Sequence, residues 1–310
     1  MKKISMYNEE ERTFQDGVEE YYKDCQIRNL RAGTLKHYRD GLNIIYKYIP
    51  SDTPISSFNE NTIKELTLAL KERNINDVSL KTYLRDFKTL LNFFMDCGYM
   101  RRFNIPLPKA DKQPIESYTD DELKILLKKP NLKTTSFSEY KNWVIVNTLL
   151  STGIRQNSLL NLKVKDIDFD NQVLYVNVTK NRKPLIVPLN CDIVAILREY
   201  LKYRKGNEED YLFCNAYGQP LVKSTLYYGL YHYNKKRGVE TTGIHRYRHT
   251  FAKKWIMMGG SVVTLQKMLG HSSLAITENY INILVTDLKR DVDRYNILSE
   301  FNKKAIKLER

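Results

Sequence analysis

Apolar residues recur at helical spacing through the first hundred positions. Phe14, Val18, Tyr21 and Tyr22 fall three and four residues apart, the interval that lines one face of an α-helix. Leu35, Tyr38, Leu42, Ile45 and Tyr46 do the same and predict a helix over 34–48. The pattern continues over 63–70 and 79–95. In the last stretch Leu80, Tyr83, Leu84, Phe87, Leu90, Leu91 and Phe94 are apolar, while Lys81, Thr82, Arg85 and Lys88 fall on other faces. About four such helices make a small all-α bundle.

Past residue 104 the pattern breaks. Pro106, Pro108 and Pro114 favour extended backbone and predict a linker over 105–117. Thr119 and Glu122 have capping-box spacing, so a new domain opens on a helix there. A helix over 138–150, ended by Gly153, follows. Two β-rich runs, 173–178 and 185–187, flank a Lys/Arg-rich turn and predict a hairpin. Helical patterning returns over 191–203, 224–235, 245–257 and 262–269. Gly270 can end the last of these, and Ser272 or Ser273 can cap another from Leu274. Leu288, Val292, Tyr295, Leu298, Phe301, Ala305 and Leu308 then form an apolar stripe that predicts a tail helix. The expected organisation is a helical domain over 1–104, a linker over 105–117, a second domain over 118–286 and a tail helix over 287–310. The fold class is mainly α with a small antiparallel β-sheet, α+β.

A length of 310 residues suits two domains, and 42% hydrophobic residues suffice to pack them. No run of about 18 apolar residues occurs, so no membrane span is expected. Residues 1–15 lack the apolar segment of a signal peptide. Cys25, Cys97, Cys191 and Cys214 lie far apart without a C-x-x-C, which indicates neither a zinc finger nor a disulfide framework and fits a reducing cytoplasm. Charge changes the picture more. The net charge is +14, and residues 111–310 hold 32 basic against 21 acidic residues. A polyanion, most commonly nucleic acid, is the natural partner. Charge alone leaves a merely basic, soluble surface equally open.

Candidate chemistry gathers near the C-terminal end. In LGHSSLAITENY, His271 and Tyr280 stand nine residues apart. Nine steps along one helix turn about 900°, which puts the two on opposite faces. They share a site only if the helix breaks, and Gly270, Ser272 and Ser273 mark a break at His271. Upstream, GIHRYRHTFAKKW sets His245 and Arg248 three apart on one helical face, with His249 four from His245. A metal site there would lack a carboxylate and be flanked by Arg246 and Arg248. Arginine and histidine together suit an anion, phosphate above all. No cofactor is expected.

The order His245-x-x-Arg248-His-Thr-Phe-Ala, Leu-Gly-His271 and Tyr280 resembles the signature of the tyrosine recombinases, the phage integrase family. Ser-Thr-Gly-Ile-Arg155 followed by Leu-Leu-Asn-Leu resembles that family's first arginine box. Lys180, eight residues before Pro188 in VTKNRKPLIVPL, resembles its catalytic lysine turn. The chain departs from the pattern at Ser158, where the family usually has an acid that helps to hold the arginine, and at Tyr247, where Leu is common. With Ser158, Arg155 must be oriented otherwise. The size resembles short Xer-type or transposon-borne members without an arm-site domain in front.

The resemblance implies a site-specific recombinase. Its N-terminal bundle would be a core-site DNA-binding domain and 118–286 a catalytic domain. Arg155 and Arg248 would grip the non-bridging oxygens of a phosphodiester, where charge builds up during attack. Tyr280 would be the nucleophile, a phenol of pKa about 10 that needs assistance. Lys180 would protonate the leaving 5′-oxygen. His245 would act as acid/base or phosphate ligand, and His271 would bond the phosphate or order the Tyr280 helix. A covalent 3′-phosphotyrosine conserves the bond energy, so neither ATP nor metal is needed. The implied partners are a double-stranded recombination site, a homotetramer on two duplexes that passes through a Holliday junction, and accessory DNA-bending or excision factors. The implied place is the cytoplasm, with the nucleoid and no membrane. Lys36, His37, Lys81 and Arg85, on polar faces of the bundle, are candidates for the major groove, with a plain solvated face equally open. Two other functions stay open: a type IB topoisomerase-like nicking-closing enzyme, and a non-catalytic DNA-binding protein on a recombinase fold.

Overall fold

Thr13 starts the first helix with a reciprocal cap. Its hydroxyl accepts from Asp16 N at 3.2 Å, and the Asp16 carboxylate accepts from Thr13 N at 3.1 Å. The computed structural model describes residues 11–73, 75–110, 116–179, 183–273 and 277. The chain divides into two units, Met1–Pro114 and Ile115–Arg310.

The first unit holds α1 (Phe14–Ile27), α2 (Ala32–Ile45), α3 (Glu60–Lys71) and α4 (Asp77–Asp96). Their apolar faces close on a core around Phe14, Phe87 and Phe94, all fully buried. Phe14 meets Phe58 edge to face at 5.3 Å, the arrangement aromatic quadrupoles favour. The second helix stops at Ile45, short of the 48 that its apolar pattern predicts. Beyond it Tyr48 N bonds Ile45 O at 2.9 Å in a tighter turn, and Pro50 then excludes helix.

The second unit runs α5 (Asp120–Leu127), α6 (Phe137–Thr152), α7 (Gln156–Leu160), β1 (Ile167–Asp168), β2 (Val173–Val176), β3 (Leu185–Pro188), α8 (Cys191–Arg204), α9 (Lys223–Lys236), α10 (Ile244–Met257) and α11 (Val262–Leu269). The Thr119–Glu122 capping box opens α5 as the spacing predicts. α6 is the central helix. Trp143, Val144, Ile145, Val146 and Leu149 are buried on several of its faces, beneath α8, α9 and α10. The sheet is antiparallel in the order β1-β2-β3. Leu174, Val176 and Val187 face the core, while their neighbours Tyr175 and Ile186 pair across the strands and stay exposed. The sequence pattern missed β1, two residues long, and α7, five residues long.

β2 ends at Val176, two residues before its β-rich run does. Asn177 donates to Asp166 Oδ1 at 2.9 Å, and Val178 O accepts from Ser158 at 2.8 Å, so both residues bond outside the ladder. The fold is mainly α with a small antiparallel sheet, as the patterning predicts. Residues 180–182 at the hairpin tip, the start of the helix expected from Leu274, and the tail helix over 287–310 lie outside the described residues.

Candidate active site

Two helix ends set the position of the site. α6 finishes at Gly153 and α11 at Gly270, each in the left-handed conformation (φ 61° and 59°). A helix C-terminus carries carbonyls with no partner inside the helix and a partial negative charge. Here arginines take those carbonyls. Arg248, in the second turn of α10, donates Nη1 to Gly153 O at 2.6 Å and Nη2 to Leu269 O at 2.8 Å. Arg155, which precedes α7, donates Nη1 to the same Leu269 O at 3.1 Å. It also donates to Gly270 O from Nη1 at 3.3 Å and Nη2 at 3.4 Å. Two guanidiniums from residues 93 apart thus converge on one carbonyl oxygen.

This arrangement answers the question raised at Ser158. With no acid at that position, main-chain oxygens orient Arg155. Ser158 is itself buried and donates to Val178 O at the root of the hairpin. Thr179 Oγ1 donates to Lys183 O at 2.7 Å across the same hairpin.

His271 follows the Gly270 turn. Its Nε2 lies 2.8 Å from Arg248 Nη2, and its Nδ1 lies 2.9 Å from Thr277 Oγ1. A guanidinium can only donate, so Nε2 accepts and the ring proton sits on Nδ1, directed at Thr277. Burial lowers the imidazole pKa to about 4, and the Arg248, Arg155 and His249 charges act in the same direction. His245 and His249 are also lowered, each by burial first. Arg248 and Arg155 then act on His245, and His245 and Arg248 on His249.

These side chains border a cavity of about 390 Å³, lined among others by Arg155, Ser158, Thr179, Lys183, Arg248 and His271. His245 does not line it but sits one turn before Arg248 on the same helix, within electrostatic reach of both arginines. Among the described residues no cluster of His, Cys, Asp and Glu could hold a metal ion. The arrangement can bind an oxyanion. Guanidiniums held by main-chain oxygens at the edge of the cavity present forked donors to phosphate oxygens there. Lys183 and the three anchoring carbonyls escaped the sequence reading. The carbonyls had a signal in Gly153 and Gly270, whose C-cap role was legible. Lys180 and Tyr280 lie outside the described residues.

The four residues singled out in the first unit occupy α2 and α4. Lys36 pairs with Asp40 one turn on, at 3.0 Å. His37 Nε2 lies 2.7 Å from Asp86 Oδ2, and Arg85 Nη2 lies 3.5 Å from Asp86 Oδ1. Asp86 is buried, so His37 and Arg85 are braced from beneath. Lys81 is half-buried and is not brought into that group.

Among the described residues no helix is long and apolar enough to cross a membrane. Residues 116–287 match the model of the phage integrase family. The chain is 36% identical over 186 residues to a tyrosine recombinase XerA of Saccharolobus solfataricus, a match covering 60% of this chain and 58% of that relative. It is 24% identical over 291 residues to a tyrosine recombinase XerD of Staphylococcus haemolyticus, covering 90% and 98% of the two chains. The fold resembles that of the Tn1549 transposon integrase in complex with a circular intermediate DNA, with a TM-score of 0.72, 22% identity, and 90% and 99% of the two chains covered. A family model that spans more than half of the chain, over the segment that carries both arginines and His271, settles the assignment: the chain belongs to the phage integrase family.

Proposed function

We propose that this protein is a site-specific DNA recombinase that cuts and rejoins strands through a covalent 3′-phosphotyrosine. The observation that carries the proposal is the convergence of Arg155 and Arg248 beside His271 on the rim of one cavity. Two fixed guanidiniums offer forked donors to the non-bridging oxygens of a phosphodiester and stabilise the charge that develops on attack. Tyr280 is the nucleophile and Lys180 the general acid for the 5′-oxygen. His245 assists as acid/base or phosphate ligand. His271 orders the segment that leads to Tyr280, and its bond to Thr277 supports that role. The first unit binds the core of the recombination site through Lys36, His37, Lys81 and Arg85, with His37 and Arg85 held on Asp86. The active form is a homotetramer on two duplexes that exchanges strands through a Holliday junction, in the cytoplasm and with accessory bending or excision factors.

The test is covalent capture. Wild-type protein incubated with fragmented genomic DNA in excess EDTA should give SDS-resistant, 3′-linked complexes, and sequencing the trapped DNA identifies the site. Tyr280→Phe should bind that site and trap nothing. An adduct formed by Tyr280→Phe, or capture that requires Mg²⁺, refutes the proposal.

A further inference from the structure

Tyr247, the residue before Arg248, is fully buried, and so are Asn234 and Thr250; Tyr118 is nearly so. These four residues form one polar cluster inside the second unit. The Tyr247 hydroxyl donates to Asn234 Oδ1 at 2.8 Å. Asn234 Nδ2 donates to the Tyr118 hydroxyl at 3.0 Å and to Thr241 O at 3.3 Å. Thr250 Oγ1 accepts from Tyr118 N at 2.9 Å and donates to Arg246 O at 2.8 Å. The Tyr118 and Tyr247 rings lie 4.7 Å apart. Every side-chain polar group in the cluster has a partner.

A buried amide whose donors and acceptor are all used has one favourable placement, because any slip leaves a desolvated group unpaired. The cluster therefore fixes α10 to the end of α9 and to the segment that leads into α5. It does so at the turn that carries Arg248.

We propose that Asn234 is a positioning residue for Arg248. It holds the first turns of α10 at one rotation and depth, so that the guanidinium reaches Gly153 O, Leu269 O and a phosphate in the adjoining cavity. The inference rests on the function proposed above for its consequence in catalysis, but its structural half can be read without DNA.

The experiment compares wild type with Asn234→Leu, with Tyr247→Phe, and with the triple variant Tyr118→Phe/Asn234→Leu/Tyr247→Phe. Tyr247→Phe removes one hydroxyl only and keeps the test open if Asn234→Leu does not fold. The first readout is the His271 ring titration by ¹⁵N NMR on the full chain. The groups that face that ring are Arg248, Arg155, His249 and Thr277. In each single variant the midpoint should climb above about 4 as Arg248 leaves Nε2, and stay below the ordinary 6.5 because the ring remains buried. In the triple variant, where Tyr118, Asn234 and Tyr247 all become apolar together, it should return. Unchanged midpoints in the folded single variants overturn the proposal. The second readout is single-turnover cleavage of the captured DNA site. The single variants should cleave about tenfold more slowly at unchanged DNA affinity, and the triple variant should recover. Lowered melting temperatures with wild-type cleavage per folded molecule would show a purely structural cluster and overturn the proposal. Failure of wild type to cleave any DNA would refute the recombinase reading alone, and the NMR result would still decide the role of Asn234.

Discussion

Arg248 Nη2 stands 2.8 Å from His271 Nε2, a cation donating to a neutral imidazole. The contact exists only while Nε2 is unprotonated. His271 is therefore neutral in the folded protein down to about pH 4, whereas an unfolded chain protonates it near 6.5. Between those limits the unfolded state binds more protons, so stability should rise with pH through that window and fall as pH drops through it. His245 and His249 are lowered too and add to the same slope. Melting temperatures of wild type and His271→Gln from pH 7 to 4 should show a shallower slope in the variant. Equal slopes would remove His271 from the account.

Arginine and lysine should not interchange at either cleft position. A lysine has the charge but not the fork that spans two acceptors. Arg155→Lys and Arg248→Lys should each slow cleavage by about 100- to 1,000-fold. Arg248 is the more buried of the two and takes two carbonyls as well as His271, so its replacement should also cost about 1–3 kcal/mol of stability. Arg155→Lys should cost less. Denaturant titration of both variants beside cleavage rates would expose a reversed order.

Gly153→Ala places a side chain where none fits. The residue has φ 61°, and an added Cβ would lie 2.4 Å from Phe251 Cδ1 and 2.7 Å from Leu269 Cδ2. Strain and overpacking together should cost roughly 2 kcal/mol or more. The Gly153 carbonyl is an anchor of Arg248, so cleavage should fall along with stability. A variant as stable and active as wild type would contradict the packing described for this turn.

Lys180→Ala should regain cleavage on DNA whose 5′-bridging oxygen is sulfur, because a thiolate leaves without being protonated. The same test on Lys183→Ala should show an equal defect on both substrates, as expected of a cation that lines the cavity without protonating the leaving group. Rescue of Lys183→Ala in place of Lys180→Ala would exchange the two roles.

Local signals in the sequence carried far. The Thr119–Glu122 cap and the left-handed ends at Gly153 and Gly270 are each set by residues within a few positions of one another, and the β2–β3 pairing by two runs on either side of one turn. Arg155, Arg248 and His271 could be singled out from motif and spacing, and the fold gathers them. What supports them was not legible. The carbonyl of Leu269 that Arg155 holds lies 114 residues away, and Gly270 marks where that helix ends but not which side chain meets its oxygens. Asp86 reads as one more charge on a helix until α2 and α4 bury it beneath His37. α7 and β1 are too short to show a period.

The main-chain anchor has a consequence for how the protein tolerates change. A carboxylate that orients an arginine can be lost by a single substitution, but a carbonyl belongs to every residue. Position 269 can exchange one core-filling side chain for another, and position 158 is released from carrying a charge, without loosening Arg155. The vulnerability moves to Gly270, where φ is 59°, a backbone conformation that a side chain strains. Mutational robustness around this arginine should therefore be lopsided, broad at the residues that lend their oxygens and narrow at the glycine that aims them.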